Sequence, residues 1–278
     1  MNTSYLRTAI REGAGNISRE LRILLKPTPQ PKNCWLFLVG CYNSGTTLLA
    51  KLLAQHPEIS AIPTEGHFIT NQFIKDYDVG LPRMWVGGEH LFRLTEADLG
   101  PDAERIKKEW GIRLDTSRPV FLEKSPPNMA RTRWLQAHFA PAKFVAIVRD
   151  GYAVAEGIRR KADPKHLPES WTIEQCAHQW ARSNEILLED APSLEHLLWV
   201  SYEELTSDPQ QTLDRIVEFA GLPPFAGMDA NRPLSVHERD EPLRNMNAES
   251  IACLSPADIE AITQVAGNML QHFRYPLR

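Results

Sequence analysis

The chain has 278 residues, 42% hydrophobic and 24% charged, a balance that excludes disordered and fibrous classes. Its 31 basic against 35 acidic residues give a net charge of −4, so nothing marks the whole chain as a nucleic-acid binder. The longest apolar run, Cys34 to Tyr42, is far shorter than the roughly 20 residues that span a bilayer. No compact apolar stretch with a small-residue cleavage site opens the chain, which predicts a cytoplasmic protein. Four cysteines without a CxxC pair and nine histidines without an HExxH or HxH pattern predict reduced thiols and no metal site.

Residues 1–32 form a segment of their own. Leu6, Ile10, Ala14, Ile17, Leu21 and Leu24 recur at three- and four-residue intervals, one face of a helix, although Gly13 and Gly15 weaken it. Six basic residues against two acidic give this stretch a basic face. A basic amphipathic helix either packs on the protein body, the commoner fate, or lies on an anionic membrane surface, a peripheral contact through residues 1–30. Pro27, Pro29 and Pro31 end it as a stiff linker.

From residue 33 to 278 a single domain is expected. Strands are predicted at Trp35–Gly40, Glu58–Pro63, Pro119–Glu123, Lys143–Val148 and Leu197–Ser201. Helices are predicted at Thr46–Gln55, Ala130–Phe139, Ala153–Lys161, Ile173–Glu189 and Pro209–Phe219. A closing helix follows at Pro256–Phe273 with Ser255 as its N-cap, after a polar, irregular stretch from Ala226 to Ser250. Continuous rather than alternating apolar runs indicate strands covered on both faces. Strand and helix in alternation give an α/β fold, a doubly wound, mostly parallel central sheet flanked by helices.

Gly40-Cys-Tyr-Asn-Ser-Gly-Thr46-Thr47 follows the first strand and opens a helix. Its glycine spacing is that of a P-loop, which turns backbone N–H groups and a helix N-terminus toward a phosphate. Thr46 stands where a triphosphate-binding loop has lysine, and no strand-end aspartate is well placed to hold magnesium. In open α/β sheets, ligands bind beyond the carboxyl ends of the strands. Those ends carry Thr64-Glu65-Gly66-His67, Glu123-Lys124-Ser125-Pro126, Val148-Arg149-Asp150 and Tyr202-Glu203-Glu204-Leu205. A phosphate loop, a carboxylate, a lysine and an arginine therefore face one crevice.

These motifs resemble the sulfotransferase family, which uses 3′-phosphoadenosine-5′-phosphosulfate (PAPS) as donor and releases 3′-phosphoadenosine-5′-phosphate (PAP). The likeness runs from about Trp35 to Tyr275. The loop Gly40 to Leu49 looks like the family's 5′-phosphosulfate loop, and Phe144-Val-Ala-Ile-Val-Arg149-Asp150 like its 3′-phosphate motif. Ser201-Tyr-Glu-Glu-Leu205 is similar to a later landmark, and Glu123-Lys-Ser-Pro126 to the bacterial and carbohydrate-type branch. The resemblance implies a P-loop-like sulfotransferase architecture and sulfuryl transfer without a metal. It implies a small-molecule, carbohydrate or lipid-linked acceptor and no nucleic acid.

On that resemblance Asn43, Ser44, Gly45, Thr46 and Thr47 form the donor loop, and Arg149 fixes the 3′-phosphate. Tyr202 either faces the adenine or caps the core. Glu65 matches the branch's general base, with His67 as rival, and Lys124 stabilises the leaving group. The sequence departs from the pattern at two donor positions. Asn43 replaces a loop lysine or arginine, a cation that Lys124, or less readily Lys51, is expected to supply. Gly157 replaces the serine that joins the arginine, with Arg159, Arg160, Arg239 or Arg244 to compensate. Trp85, Phe92, Trp110, Phe68 and Phe73 offer acceptor surface or core. The alternatives are a nucleotide-binding module that has lost catalysis and a P-loop nucleotide kinase.

Overall fold

The computed structural model describes residues 23, 25–161, 171–225 and 243–278, and the backbone of 234–236 and 239–241. The N-terminal helix expected from the stripe Leu6 to Leu24 lies almost wholly outside them. Five parallel strands form the central sheet: β1 (Cys34–Val39), β2 (Ile59–Ala61), β3 (Val120–Lys124), β4 (Ala142–Val148) and β5 (Leu197–Ser201). Their spatial order is β2-β3-β1-β4-β5, so the chain winds one way from β1, then crosses to the other side. The doubly wound expectation is met. All six residues of β1 are buried, because the strand has neighbours on both edges and helices on both faces.

The pleat of β1 divides the core in two. Trp35, Phe37 and Val39 join one apolar cluster with α2 (Ala103–Gly111), α3 (Thr132–His138), α4 (Gly151–Arg160), α5 (Ile173–Asp190) and α9 (Pro256–His272). Cys34, Leu36 and Leu38 join the other, with α1 (Thr46–Leu53), α6 (Tyr202–Ser207) and α7 (Pro209–Phe219). Successive strand side chains point to opposite faces, so one unbroken apolar run serves both layers.

Side-chain caps start several of these helices. Thr172 and Gln175 form a capping box for α5, Ser201 and Glu204 for α6, and Ser255 and Asp258 for α9, as expected of Ser255. The sequence reading passed over α2, whose apolar face is only Ile106 and Trp110 in a charged stretch capped by Asp102. Within the stretch read as irregular lie a hairpin, β6 (Leu234–Val236) with β7 (Arg239–Glu241), and the short α8 (Asn247–Ile251). The proline segment packs rather than swings: Pro29 abuts Gly111, and Thr28 donates to Glu104 at 2.7 Å. Among the described residues no helix is long and apolar enough to cross a membrane. Cys34, Cys41 and Cys176 are buried free thiols, the last two pushed by burial up to about 12; Cys253 is exposed.

Candidate active site

Strand register sets the geometry. Leu38 in β1 is level with Lys124 in β3, and Val39 with Ala146 in β4. The loop that leaves β1 therefore emerges between the end of β3 and the end of β4. It passes close to β4: a Cβ on Gly40 would lie 2.6 Å from the carbonyl oxygen of Ile147, so only glycine fits. Asn43 (φ 63°) and Gly45 (φ 95°) hold left-handed backbone, and no side chain caps the N-terminus of α1 at Gly45. First-turn N–H groups of an uncapped helix are an anion site. Ser44 supports this, since its buried Oγ has no hydrogen-bond partner among the described residues.

On the β4 side Arg149 is held at two of its three guanidinium nitrogens. Its Nε donates to Asn247 Oδ1 at 2.7 Å, and its Nη1 to the Asn43 carbonyl at 3.0 Å. Its guanidinium lies 4.3 Å from the ring centre of Tyr202. Asn247 in turn donates to Glu203 at 2.5 Å, and Tyr275 donates to the other Glu203 oxygen at 2.9 Å. Burial lowers the proton affinity of Arg149, partly countered by Tyr202, Glu203 and Asp150. The remaining nitrogen, Nη2, is buried without a partner among the described residues. A donor left unsatisfied in this way costs about 1–3 kcal/mol, which an anion would recover.

Tyr202 is buried. Its ring backs Arg149 and the close turn at Gly45; its hydroxyl donates to the Arg244 carbonyl at 3.1 Å. Asn247 and Tyr275 were missed because nothing local marks residues that act across about a hundred positions. Asp150 caps α4 through the N–H of Tyr152 at 2.9 Å.

Three of the four arginines expected to compensate are paired with carboxylates. Arg159 forms a two-point pair with Asp258 at 2.6 and 3.0 Å, Arg160 pairs with Glu156 at 2.7 Å, and Arg244 pairs with Glu249. The side chain of Arg239 lies outside the described residues. The sequence reading missed two further cations, Arg83 and Lys161. Arg83 sits 5.5 Å from the Tyr42 ring. Lys161 is pushed down to about 8 by burial and by Arg83, Arg160 and Arg149.

Glu65 and Lys124 meet on the β3 side, with Nζ to Oε1 at 2.6 Å and both side chains partly exposed. Buried Glu123 beside them accepts from Gly66 N at 2.8 Å, from Asn128 Nδ2 at 2.5 Å and from Ser125 Oγ. Burial raises its proton affinity, opposed by those donors and by Arg131 and Lys124. Gly66 must be glycine, because a Cβ would lie 2.6 Å from Glu123 Oε1 and 2.8 Å from Trp110. His67 is sealed, 0% exposed, and neither ring nitrogen has a hydrogen-bond partner among the described residues. Glu65 Oε2, 3.7 Å away, would favour an imidazolium, but Lys124 already neutralises that carboxylate. Burial, with Arg131, Lys124 and Lys75, takes His67 down to about 3. Of the five aromatics proposed as acceptor surface, Trp85, Phe92, Trp110 and Phe73 are core, and only Phe68 is exposed.

The family described as "Sulfotransferase family" matches residues 36–226. Protein-tyrosine sulfotransferase A of Caenorhabditis elegans is 24% identical over 249 residues, 84% of this chain and 62% of that protein. The chain thus spans less than two thirds of that relative's length. The solved sulfotransferase domain from the Synechococcus PCC 7002 olefin synthase superposes with a TM-score of 0.56 at 21% identity, over 91% of this chain and 98% of that one. The sulfotransferase domain from the curacin biosynthetic pathway gives 0.57 at 19% identity, over 90% and 100%. Those two likenesses bear on the fold; the family match takes in the loop, Glu65, Lys124, Arg149 and Tyr202 in one stretch. The chain belongs to the sulfotransferase family.

Proposed function

We propose that the protein transfers a sulfuryl group from PAPS to a hydroxyl or amine of a small-molecule, carbohydrate or lipid-linked acceptor. The observation that carries this is the Glu65–Lys124 pair at 2.6 Å, at the strand ends beside a loop whose buried donors lack partners among the described residues. When bound, PAPS supplies a sulfuryl group on a phosphate leaving group, so the bond between sulfur and the bridging oxygen is the one that breaks. The N–H groups of Gly45, Thr46 and Thr47 hold the 5′-phosphate, as an oxyanion hole does. Arg149 holds the 3′-phosphate by charge-assisted hydrogen bonds. Lys124 faces the charge that grows on the bridging oxygen. Glu65 takes the acceptor proton while the freed lone pair forms the new bond to sulfur.

The pairing of base and lysine keeps both charges balanced until substrates separate them. Partial exposure of Glu65 favours it over sealed His67 as the base. The named activity of the curated relative adds a tyrosine hydroxyl of a polypeptide as an acceptor class the same base would serve. Thr46 in place of lysine argues against a triphosphate and hence against a nucleotide kinase.

Glu65→Gln keeps the shape and removes the basicity. Turnover with labelled PAPS, over a panel of hydroxyl and amine acceptors, is expected to fall about 100- to 10,000-fold while PAP affinity by calorimetry stays unchanged. Near-normal turnover in Glu65→Gln beside a dead His67→Ala would overturn the assignment. A wild-type chain that binds PAP but transfers nothing would point to a binding module.

A further inference from the structure

The two departures from the family pattern at the donor site, Asn43 and Gly157, lie against each other. A Cβ on Gly157 would sit 3.2 Å from Asn43 Cβ, 3.3 Å from its Cγ and 3.7 Å from its Nδ2. The left-handed turn at Asn43 (φ 63°) sends its side chain onto α4. Its amide nitrogen is buried with no partner among the described residues, and so is Nη2 of Arg149. The two residues are joined, since Arg149 Nη1 donates to the Asn43 carbonyl at 3.0 Å. Both unpaired atoms can only donate, so what satisfies them is an acceptor, and the guanidinium favours an anionic one.

Resting on the donor reading above, we propose that the Asn43 side-chain amide and Arg149 Nη2 together recognise the 3′-phosphate, Asn43 replacing the hydroxyl that position 157 lacks. The loop residue expected to serve the 5′ side thus belongs to the opposite end of the nucleotide. A neutral amide suits the place. Lys161, whose N–H donates to the Gly157 carbonyl at 3.2 Å, already stands among Arg83, Arg160 and Arg149. A lysine or arginine at 43 would crowd that cluster with another charge. Space gives the same answer from the other side: with asparagine at 43, a serine at 157 meets a contact tighter than side chains ordinarily make. Glycine at 157 thus makes room for the side chain at 43.

The test compares PAP with AMP, which lacks the 3′-phosphate, by calorimetry. Asn43→Ala is expected to lower PAP affinity about tenfold, the scale of one charge-assisted hydrogen bond, and leave AMP affinity unchanged. Gly157→Ser alone is expected to impair PAP binding, and the same change on an Asn43→Gly background, which removes the Cβ it meets at 3.2 Å, to restore it. Asn43→Asp, nearly isosteric, sets a carboxylate against the phosphate and is expected to lose PAP but keep AMP, should Asn43→Ala fold poorly. Equal losses for both nucleotides, or no rescue by serine, overturn the proposal provided the wild type prefers PAP. A wild type without that preference overturns the donor reading itself.

Discussion

The two sides of β1 solve different problems. Toward β4 and β5 the site is built from backbone and buried donors: Gly40 lies against Ile147, Gly45 against Tyr202, and Arg149 is fastened through Asn247, Glu203 and Tyr275. Toward β3 and β2 it is built from partly exposed side chains, Glu65 and Lys124, on a turn pinned from beneath by the buried carboxylate of Glu123. In the proposed function, one side holds an anion in a fixed place, and the other keeps a base and a lysine partly exposed, where an acceptor can reach them.

Changes that need a Cβ should therefore damage the first side most. Gly40→Ala drives a methyl to 2.6 Å from a backbone oxygen that cannot move without shifting β4. A loss of about 3 kcal/mol is expected from urea unfolding, the upper end of ordinary overpacking, together with loss of PAP binding. Gly267→Ala in α9 is the control, since nothing lies within 4 Å of the added carbon, and it is expected to gain up to about 1 kcal/mol. If the two alanines cost the same, the fixed-loop account is wrong.

Much of this division was legible in the sequence because it depends on what is local. Five continuous apolar runs gave the strands, and the residues just after them fall at one edge of the sheet because the strands are parallel. Other parts depend on meetings that no local pattern encodes. Ile106 and Trp110 are too sparse to signal α2. Asn247 reaches Arg149 across 98 positions, and Asn43 meets Gly157 only once α4 is folded beneath the loop. His67 reads as a reactive histidine until its burial is seen. Glu123 reads as one more strand-end charge, yet with Trp110 it bonds Gly66 and so helps to hold the Glu65 turn in place.

His67 gives the second side a dependence on acid. It is held neutral near 3, against an ordinary value near 6.5, so its folded value is the depressed one. The unfolded chain takes up the proton first as pH falls. Stability from this group is complete above about 6.5 and is lost progressively as pH falls toward 3. From pH 7 to pH 5 the loss amounts to about 2 kcal/mol. His67→Gln should remove that part of the slope in urea unfolding at the two pH values. An unchanged slope would mean that the imidazole is charged in the folded protein, in keeping with the nearby Glu65.

The finest test of the comparison lies at Glu123, which touches no substrate in this account and acts by placing Glu65. Glu123→Gln keeps the acceptor for Gly66 N but sets an amide NH2 against the Asn128 NH2, where a 2.5 Å hydrogen bond stood. The turn should loosen without unfolding. A fall in turnover of about tenfold is expected, the effect of losing one charge-assisted hydrogen bond, with PAP affinity unchanged because the donor side is braced independently. Asn128→Asp in the same chain reverses the polarity of that contact. The new carboxylate at 128 accepts from the new amide at 123, and it still accepts from Arg131 Nε, which now bonds Asn128 Oδ1 at 2.9 Å. The swap should restore most of the turnover, whereas Asn128→Asp alone sets two carboxylates side by side and should be worse than either. A structural role alone would change melting temperature and leave the ratio of turnover to PAP affinity as it was. If PAP affinity falls in step with turnover, the two sides of β1 are not independent.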